Sequence, residues 1–357
     1  MPALPSYRST FTRSTRCWQP TQTRSLTQER RPMRTLVTAD LHLTDRPKDE
    51  YRWTFLTEWL WGQSFSNLVI LGDLTDEKDY HSSHLVNRLV SALAALAREG
   101  IGIHILMGNH DYAEGSKPFF SFISELPRCF FYSQQRMVEI GNVRWAFFPH
   151  SREPVWADRK YMQEIGIDYV GCHQVFSGAV SESGRELAGV GARALEGVGK
   201  VWAGDIHVPQ QVGVVEYVGS PYPIHFGDSF EPRVVMLDGG RHWSLYPETI
   251  RKLVLRIRDP DEIEEMPEWR AGDQVKVVVS LRRADFSRWD VYRQAIRTIC
   301  KRNELDLCGI ELQERRRERL KLANDTDVPR APADQFEAYV EAQRVDPSDA
   351  EVGRTML

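Results

Sequence analysis

Five short apolar runs in this chain each stop at a group of oxygen and nitrogen donors. The groups are Asp40-Leu41-His42, Gly72-Asp73-Leu74-Thr75-Asp76, Gly108-Asn109-His110-Asp111, Cys172-His173 and Gly204-Asp205-Ile206-His207. The first three runs, 35–39, 68–71 and 101–107, have strand length. Between them lie helical patterns: 48–62, with Trp53, Leu56, Trp59 and Leu60 at helical spacing, and 83–98, with Leu85, Leu89, Leu93 and Leu96 on one stripe. Strands alternating with helices predict an α/β layered fold. Polar residues at strand ends predict a site on the carboxyl edge of the sheet.

Further strands are expected at 143–148, 168–172, 199–203, 213–218 and near 233–238, together forming a second, mixed sheet packed on the first. The texture changes near residue 250. Strands at 252–257, 274–280 and 309–313, with a helix over 287–302, make a small α+β unit of plausible domain size. Residues 314–321 read as a charged linker. Phe336, Tyr339 and Val340 give 335–344 the face of a short amphipathic helix. The resulting division is 1–33, 34–249, 250–325 and a tail, 326–357.

The charge is uneven. Residues 1–33 hold six arginines against one acid, Glu29, for +5, and the remainder of the 357-residue chain carries −9. The head has no helical or strand period and reads as a disordered extension. A transit peptide and a DNA-binding arm are competing readings of the same composition. The acidic body excludes a passive nucleic-acid coat and suits a cation site. Five cysteines without a C-x-x-C pair suggest free thiols in a reducing compartment, and no apolar run is long enough to cross a membrane.

Mixed carboxylate, imidazole and amide donors suit Mn²⁺, Fe²⁺ or Zn²⁺ better than Ca²⁺. Gly-Asn-His-Asp alone should arise by chance in about one chain per thousand of this length. Two metals about 3.5–4 Å apart need a bridging carboxylate and several further ligands each, and the five groups supply that number.

The order D-x-H, G-D-x-x-D, G-N-H-D, H, G-x-x-H resembles the calcineurin-like metallophosphoesterases, over roughly residues 34–239. His173-Gln174-Val175-Phe176-Ser177-Gly178-Ala179 with Ser181-Glu182-Ser183 looks like their DNA-repair nuclease branch, typified by SbcD. Gly219-Ser220-Pro221 followed by Phe226-Gly227-Asp228 looks like the same branch. The resemblance implies a four-layer α/β/β/α sandwich of two mixed sheets flanked by helices, with residues 250–325 in the position of a capping domain. It implies that Asp40, His42 and His207 bind one metal and Asn109, His173 and Asp205 the other, with Asp73 bridging. His110 would contact the scissile phosphate and protonate the leaving oxygen. Asp76 and Asp111 would orient His110 and the histidine ligands. His150, Ser220 and Arg283 are candidate substrate contacts. The activity implied is a DNA exonuclease or endonuclease in end processing, repair or recombination. It would use two divalent ions, foremost Mn²⁺ with Mg²⁺, Fe²⁺ or Zn²⁺ as alternatives, through attack of a hydroxide between the metals. The partners implied are DNA and an SbcC-like ATPase. A homodimer is compatible, no membrane is involved, and the compartment is cytoplasmic, in a bacterium or a phage-infected cell. The rival reading keeps the chemistry and changes the substrate to a cyclic nucleotide or phosphomonoester.

Two departures stand out. The family usually has histidine where this chain has Asp205, which adds hardness and favours Mn²⁺ or Mg²⁺. Some nucleases of the branch have histidine at the position of Asp76. Among the remaining residues, His104 reads as packed within a strand, His81 and His84 as surface residues at a helix start, and Trp53, Trp59 and Trp61 as core.

Overall fold

A computed structural model describes residues 33–78, 80–112, 118–266, 269–315 and 340. Residues 1–32, most of the expected charged linker and all but Val340 of the expected tail helix lie outside the described residues.

The chain begins with β1 (Thr35–Thr38), β2 (Asn67–Ile70), β3 (Gly102–Leu106) and β4 (Cys129–Tyr132), then β5 (Arg136–Ile140) and β6 (Val143–Phe148). It continues through β7 (Tyr169–His173), β8 (Lys200–Gly204), β9 (Gln210–Val212) and β10 (Val215–Tyr217), and ends the large domain with β11 (Val234–Asp238) and β12 (Arg241–Leu245). The sheets run β12-β11-β1-β2-β3-β4 and β5-β6-β7-β8-β10-β9. β1 to β4 are parallel, as are β6, β7, β8 and β10. Their carboxyl ends therefore share an edge within each sheet.

Strand alternation sorts the core into layers. Leu36, Leu68, Ile70, Ile103 and Ile105 face an outer core built with the helices, whereas Val37, Val69, Leu71 and Leu106 join Trp145, Phe147 and Trp202 between the sheets. A third core, including Phe176, Val201 and Tyr217, covers the far face of the second sheet. Three apolar layers separated by two sheets give the four-layer sandwich. The helix α2 (Ser83–Arg98) buries Leu85, Leu89, Leu93 and Leu96, and its Ser82 cap accepts a 3.0 Å bond from Leu85 N. α3 (Arg159–Glu164) is a single short helix on the second sheet.

Three expectations need correction. The strand near 233–238 is β11, and it pairs antiparallel with β1 in the first sheet. Its two apolar faces suit either sheet, so only the crossing of the preceding loop decides the pairing. The helical stretch Pro47–Gly62 changes type along its length: α1 (Glu50–Thr54) passes into a π-turn, Phe55–Trp59, and a 3₁₀ turn, Leu60–Gly62. Trp53 is buried, but Trp61 is 46% exposed and not core. Strands β4, β5, β9 and β12, the four edges of the two sheets, carried no clear sequence signal.

The small domain has β13 (Lys252–Ile257), β14 (Gln274–Leu281) and β15 (Asp306–Glu314), all parallel with β14 central. The helix α4 (Trp289–Arg302) connects the last two and packs Ile296, Ile299 and Cys300 onto Val277 and Val279. Buried Lys252 ties this unit to the large domain, with Nζ 3.1 Å from Ile224 O and 3.4 Å from Asp49 Oδ1. No helix among the described residues is long and apolar enough to cross a membrane.

Candidate metal centre

Six non-glycine residues among those described have positive φ, and four of them are Asp40 (54°), His42 (41°), Asp73 (53°) and Asp205 (86°). Left-handed backbone costs an L-residue free energy and clusters where function demands it. Here it turns each strand end sharply, so that consecutive side chains converge on one point.

Three side chains from elsewhere hold the first of these turns. Ser220 Oγ donates to Asp40 O at 3.1 Å, Tyr222 Oη donates to Leu41 O at 2.5 Å, and the Arg52 guanidinium donates to His42 O. Every carbonyl from 40 to 42 is thus occupied. Ser220 is fully buried in this role, which corrects its reading as a substrate contact.

The second turn is held by Asp111. Its fully buried carboxylate accepts from Gly108 N (2.7 Å), Asp73 N (3.0 Å) and Leu74 N (3.0 Å). Asp111 therefore fixes the backbone of two donor groups, which corrects the expectation that its side chain orients an imidazole. Two glycines permit the close approach. A Cβ on Gly72 would lie 2.1 Å from His173 Nδ1, and one on Gly108 would lie 2.2 Å from Asp73 Oδ1.

The donors converge in two half-sites. In the first, Asp40, His42 and His207 come together, with the Nε2 atoms of His42 and His207 3.2 Å apart. In the second, Asp40, Asp73 and His173 come together, with Asp205 Oδ1 3.8 Å from His173 Nε2. One end of the Asn109 amide is 3.1 Å from His173 Nε2, and 2.9 and 3.0 Å from the Asp73 oxygens. Asp73 joins the halves: its Oδ2 is 3.4 Å from His42 Nε2 and its Oδ1 is 3.4 Å from His173 Nε2.

The histidines that converge here are held from behind. His173 Nδ1 meets Leu71 O at 2.6 Å, which leaves Nε2 for the centre. His42 Nδ1 lies 3.5 Å from Asp76 Oδ1, and Arg46 lies 3.3 Å from that carboxylate's other oxygen. His207 Nδ1 lies 3.0 Å from Glu182 Oε1. His110 Nδ1 donates to the backbone carbonyl of Asp76 at 2.7 Å, so Asp76 orients His42 with its side chain and His110 with its main chain.

The electrostatics call for a cation. Burial pushes the Asp40 carboxyl up to about 7, with nearby Asp73 and Asp205 adding to the effect against His173 and His207. Burial also raises Asp205. Burial opposes charge on His173, yet Asp73, Asp205 and Asp40 outweigh it and hold the imidazole up at about 9. Asp40 Oδ2 is buried with no hydrogen-bond partner. An orphaned carboxylate oxygen beside converging imidazole nitrogens is the donor set of a divalent ion, and the residues fit two.

Other expected residues fall outside this centre. His104 is packed within β3, with Nδ1 2.8 Å from Tyr132 Oη. His81 packs on Phe119 and Phe120 rather than lying free on the surface, while His84 is exposed. Arg283 is exposed in the small domain, on an element that supplies no ligand. His150 borders the second half-site, its ring centroid 6.1 Å from that of His173. Sequence reasoning gave no role to Arg52, Tyr222 or Glu182, although the motif containing Glu182 was visible.

Residues 33–187 match the family model of the calcineurin-like phosphoesterases. The sandwich, the order of the donors and the shared Asp73 agree with that match, which marks this part of the chain as similar to metal-dependent phosphoester hydrolases. Among solved structures, the chain is similar to the Pseudomonas putida nuclease MPE, at 16% identity and a TM-score of 0.29, over 59% of this chain and 87% of that one. A search of curated proteins gives no match.

Proposed function

We propose that the protein is a two-metal phosphodiesterase that cuts DNA in end processing, repair or recombination. The observation that carries the reading is Asp73, whose two oxygens face His42 and His173 from opposite half-sites at 3.4 Å each. Two divalent cations held there would neutralise the phosphate oxygens and lower the pKa of water towards neutrality. Asp40, His42 and His207 would hold one ion, and Asn109, His173 and Asp205 the other. Oxygen-rich, thiolate-free ligation favours Mn²⁺.

His110 supplies the proton. Its Nδ1 is committed to Asp76 O, so the opposite edge of the ring is left to the leaving oxygen, and its own backbone N–H donates to Asp73 Oδ1 at 2.8 Å. One hydrogen bond thus ties the acid to the bridging carboxylate.

DNA as substrate is supported by the motifs around His173 and Ser220 and by the small domain buttressed through Lys252. That domain could present bases to a duplex, although Arg282, Arg293 and Arg302 are paired with Asp285, Asp290 and Glu264. An SbcC-like ATPase partner and a cytoplasmic setting follow from the same reading. The test is direct. Purified protein with Mn²⁺ is offered linear duplex, single-stranded DNA, bis(p-nitrophenyl) phosphate and p-nitrophenyl phosphate. DNA and diester cleavage abolished by chelation are expected. Turnover of the monoester alone would replace this reading with a small-molecule phosphomonoesterase.

A further inference from the structure

A cleft of about 540 Å³ opens beside the second half-site. Its inner wall is a pair of rings, with the Tyr112 hydroxyl 2.8 Å from His150 Nδ1. Tyr112 follows His110 by two residues, and His150 N donates to Met107 O at 2.9 Å, which pins the pair to the end of β3. The His150 ring stands edge-on to His173. An ester arm leaving a phosphate over the metal pair on this side would enter the cleft at once.

The lining has a particular chemistry. Met107, Tyr112 and Val155 give apolar surface, while Gln135, Ser133 and Arg152 give an amide, a hydroxyl and a guanidinium. Flat apolar contact with a few hydrogen-bonding groups suits a heteroaromatic ring with a polar edge. The volume is within the roughly 300–1,000 Å³ of small-ligand sites, enough for a nucleoside and too little for a duplex.

We propose that this cleft receives one unpaired nucleoside joined to the scissile phosphate, so that the strand is cut where it is single-stranded or frayed. The proposal rests on the phosphodiesterase reading above and adds the form of the substrate. An enzyme that takes a base out of its stack must meet the cost of unpairing it, which is lowest at ends and in single strands.

The test measures inhibition of bis(p-nitrophenyl) phosphate hydrolysis by the full-length, Mn²⁺-loaded protein. The inhibitors are inorganic phosphate, 5′-dTMP and 3′-dTMP. One nucleotide is expected to inhibit at least about fivefold better than phosphate, the low end for one stacked base. Val155→Arg, at a side chain 81% exposed and hence harmless to folding, should fill the cleft and erase most of that advantage. Gln135→Ala should reduce it. Inhibition by phosphate should stay within about twofold in Gln135→Ala, which adds no charge and removes none of the converging donors. Nucleotides no better than phosphate, or an advantage intact in both variants, would overturn the cleft's role while leaving the phosphodiesterase standing. Failure to hydrolyse the diester at all would overturn both.

Discussion

Glu182 Oε1 stands 3.0 Å from Nδ1 of His207, on the far side of the imidazole from His42. The pairing holds the Glu182 carboxyl well below the usual carboxylate range. It turns His207 Nε2 towards the first half-site. Glu182→Ala should weaken one of the two metals by about 10–100-fold, the usual effect of losing a ligand's supporting partner, with Glu182→Gln milder. Calorimetric Mn²⁺ titration distinguishes the two sites. Unchanged affinity in Glu182→Ala would show that His207 needs no support.

Asp73→Ala removes the carboxylate whose two oxygens face His42 and His173. Metal content should fall from about two ions per chain towards zero, with activity abolished. Elemental analysis of the purified variant checks this. A protein that kept both ions and full turnover would refute the bridging role.

His110→Ala should keep both metals and lose about 10²–10⁴-fold in rate, the range for a general acid. Its Nδ1 is committed to Asp76 O, and its bond to Asp73 runs from the backbone N–H, which alanine retains. Loss of an ion in this variant would make His110 a ligand.

Asp205→His should fold and still bind two ions, with preference moving towards softer metals such as Zn²⁺. Position 205 has φ 86°, a conformation in which aspartate and histidine are both enriched. Rates with Mn²⁺, Mg²⁺, Co²⁺ and Zn²⁺ provide the comparison. A variant restricted to one ion would mean that Asp205 does something other than ligate.

His104 gives a pH dependence remote from the chemistry. Burial lowers its pKa from 6.5 to about 4. Between those values the unfolded chain takes up a proton that the folded chain refuses, so stability falls as pH drops through that window. The loss reaches at most about 3 kcal/mol. In His104→Phe this part of the acid sensitivity should vanish. Urea unfolding at neutral pH and near pH 4.5 would show the variant losing ground at neutrality and regaining it in acid. Parallel pH profiles for the two proteins would exclude the role of His104.

Much of the centre was legible along the chain because a metal site needs particular donors, and donors at the ends of parallel strands follow short apolar runs. Asp40, His42, Asp73, Asn109, His173, Asp205 and His207 stand out in this way, and α2 is marked by four leucines at helical spacing. These are local signals, carried by residue identity and by periods of two and 3.6.

What the tertiary structure decided lies across long sequence separations. Ser220 and Tyr222 reach back 180 and 181 residues to hold the carbonyls of Asp40 and Leu41, and β11 returns to pair with β1 rather than joining the second sheet. Asp111 spends its buried charge on three backbone amides, and Glu182 finds a histidine 25 positions away only because two loops meet. The sequence by itself determined which atoms could bind the metals and in what order they occur. Their convergence, and the supports that hold the strained turns in place, depended on contacts between elements, which no local pattern of residues encodes.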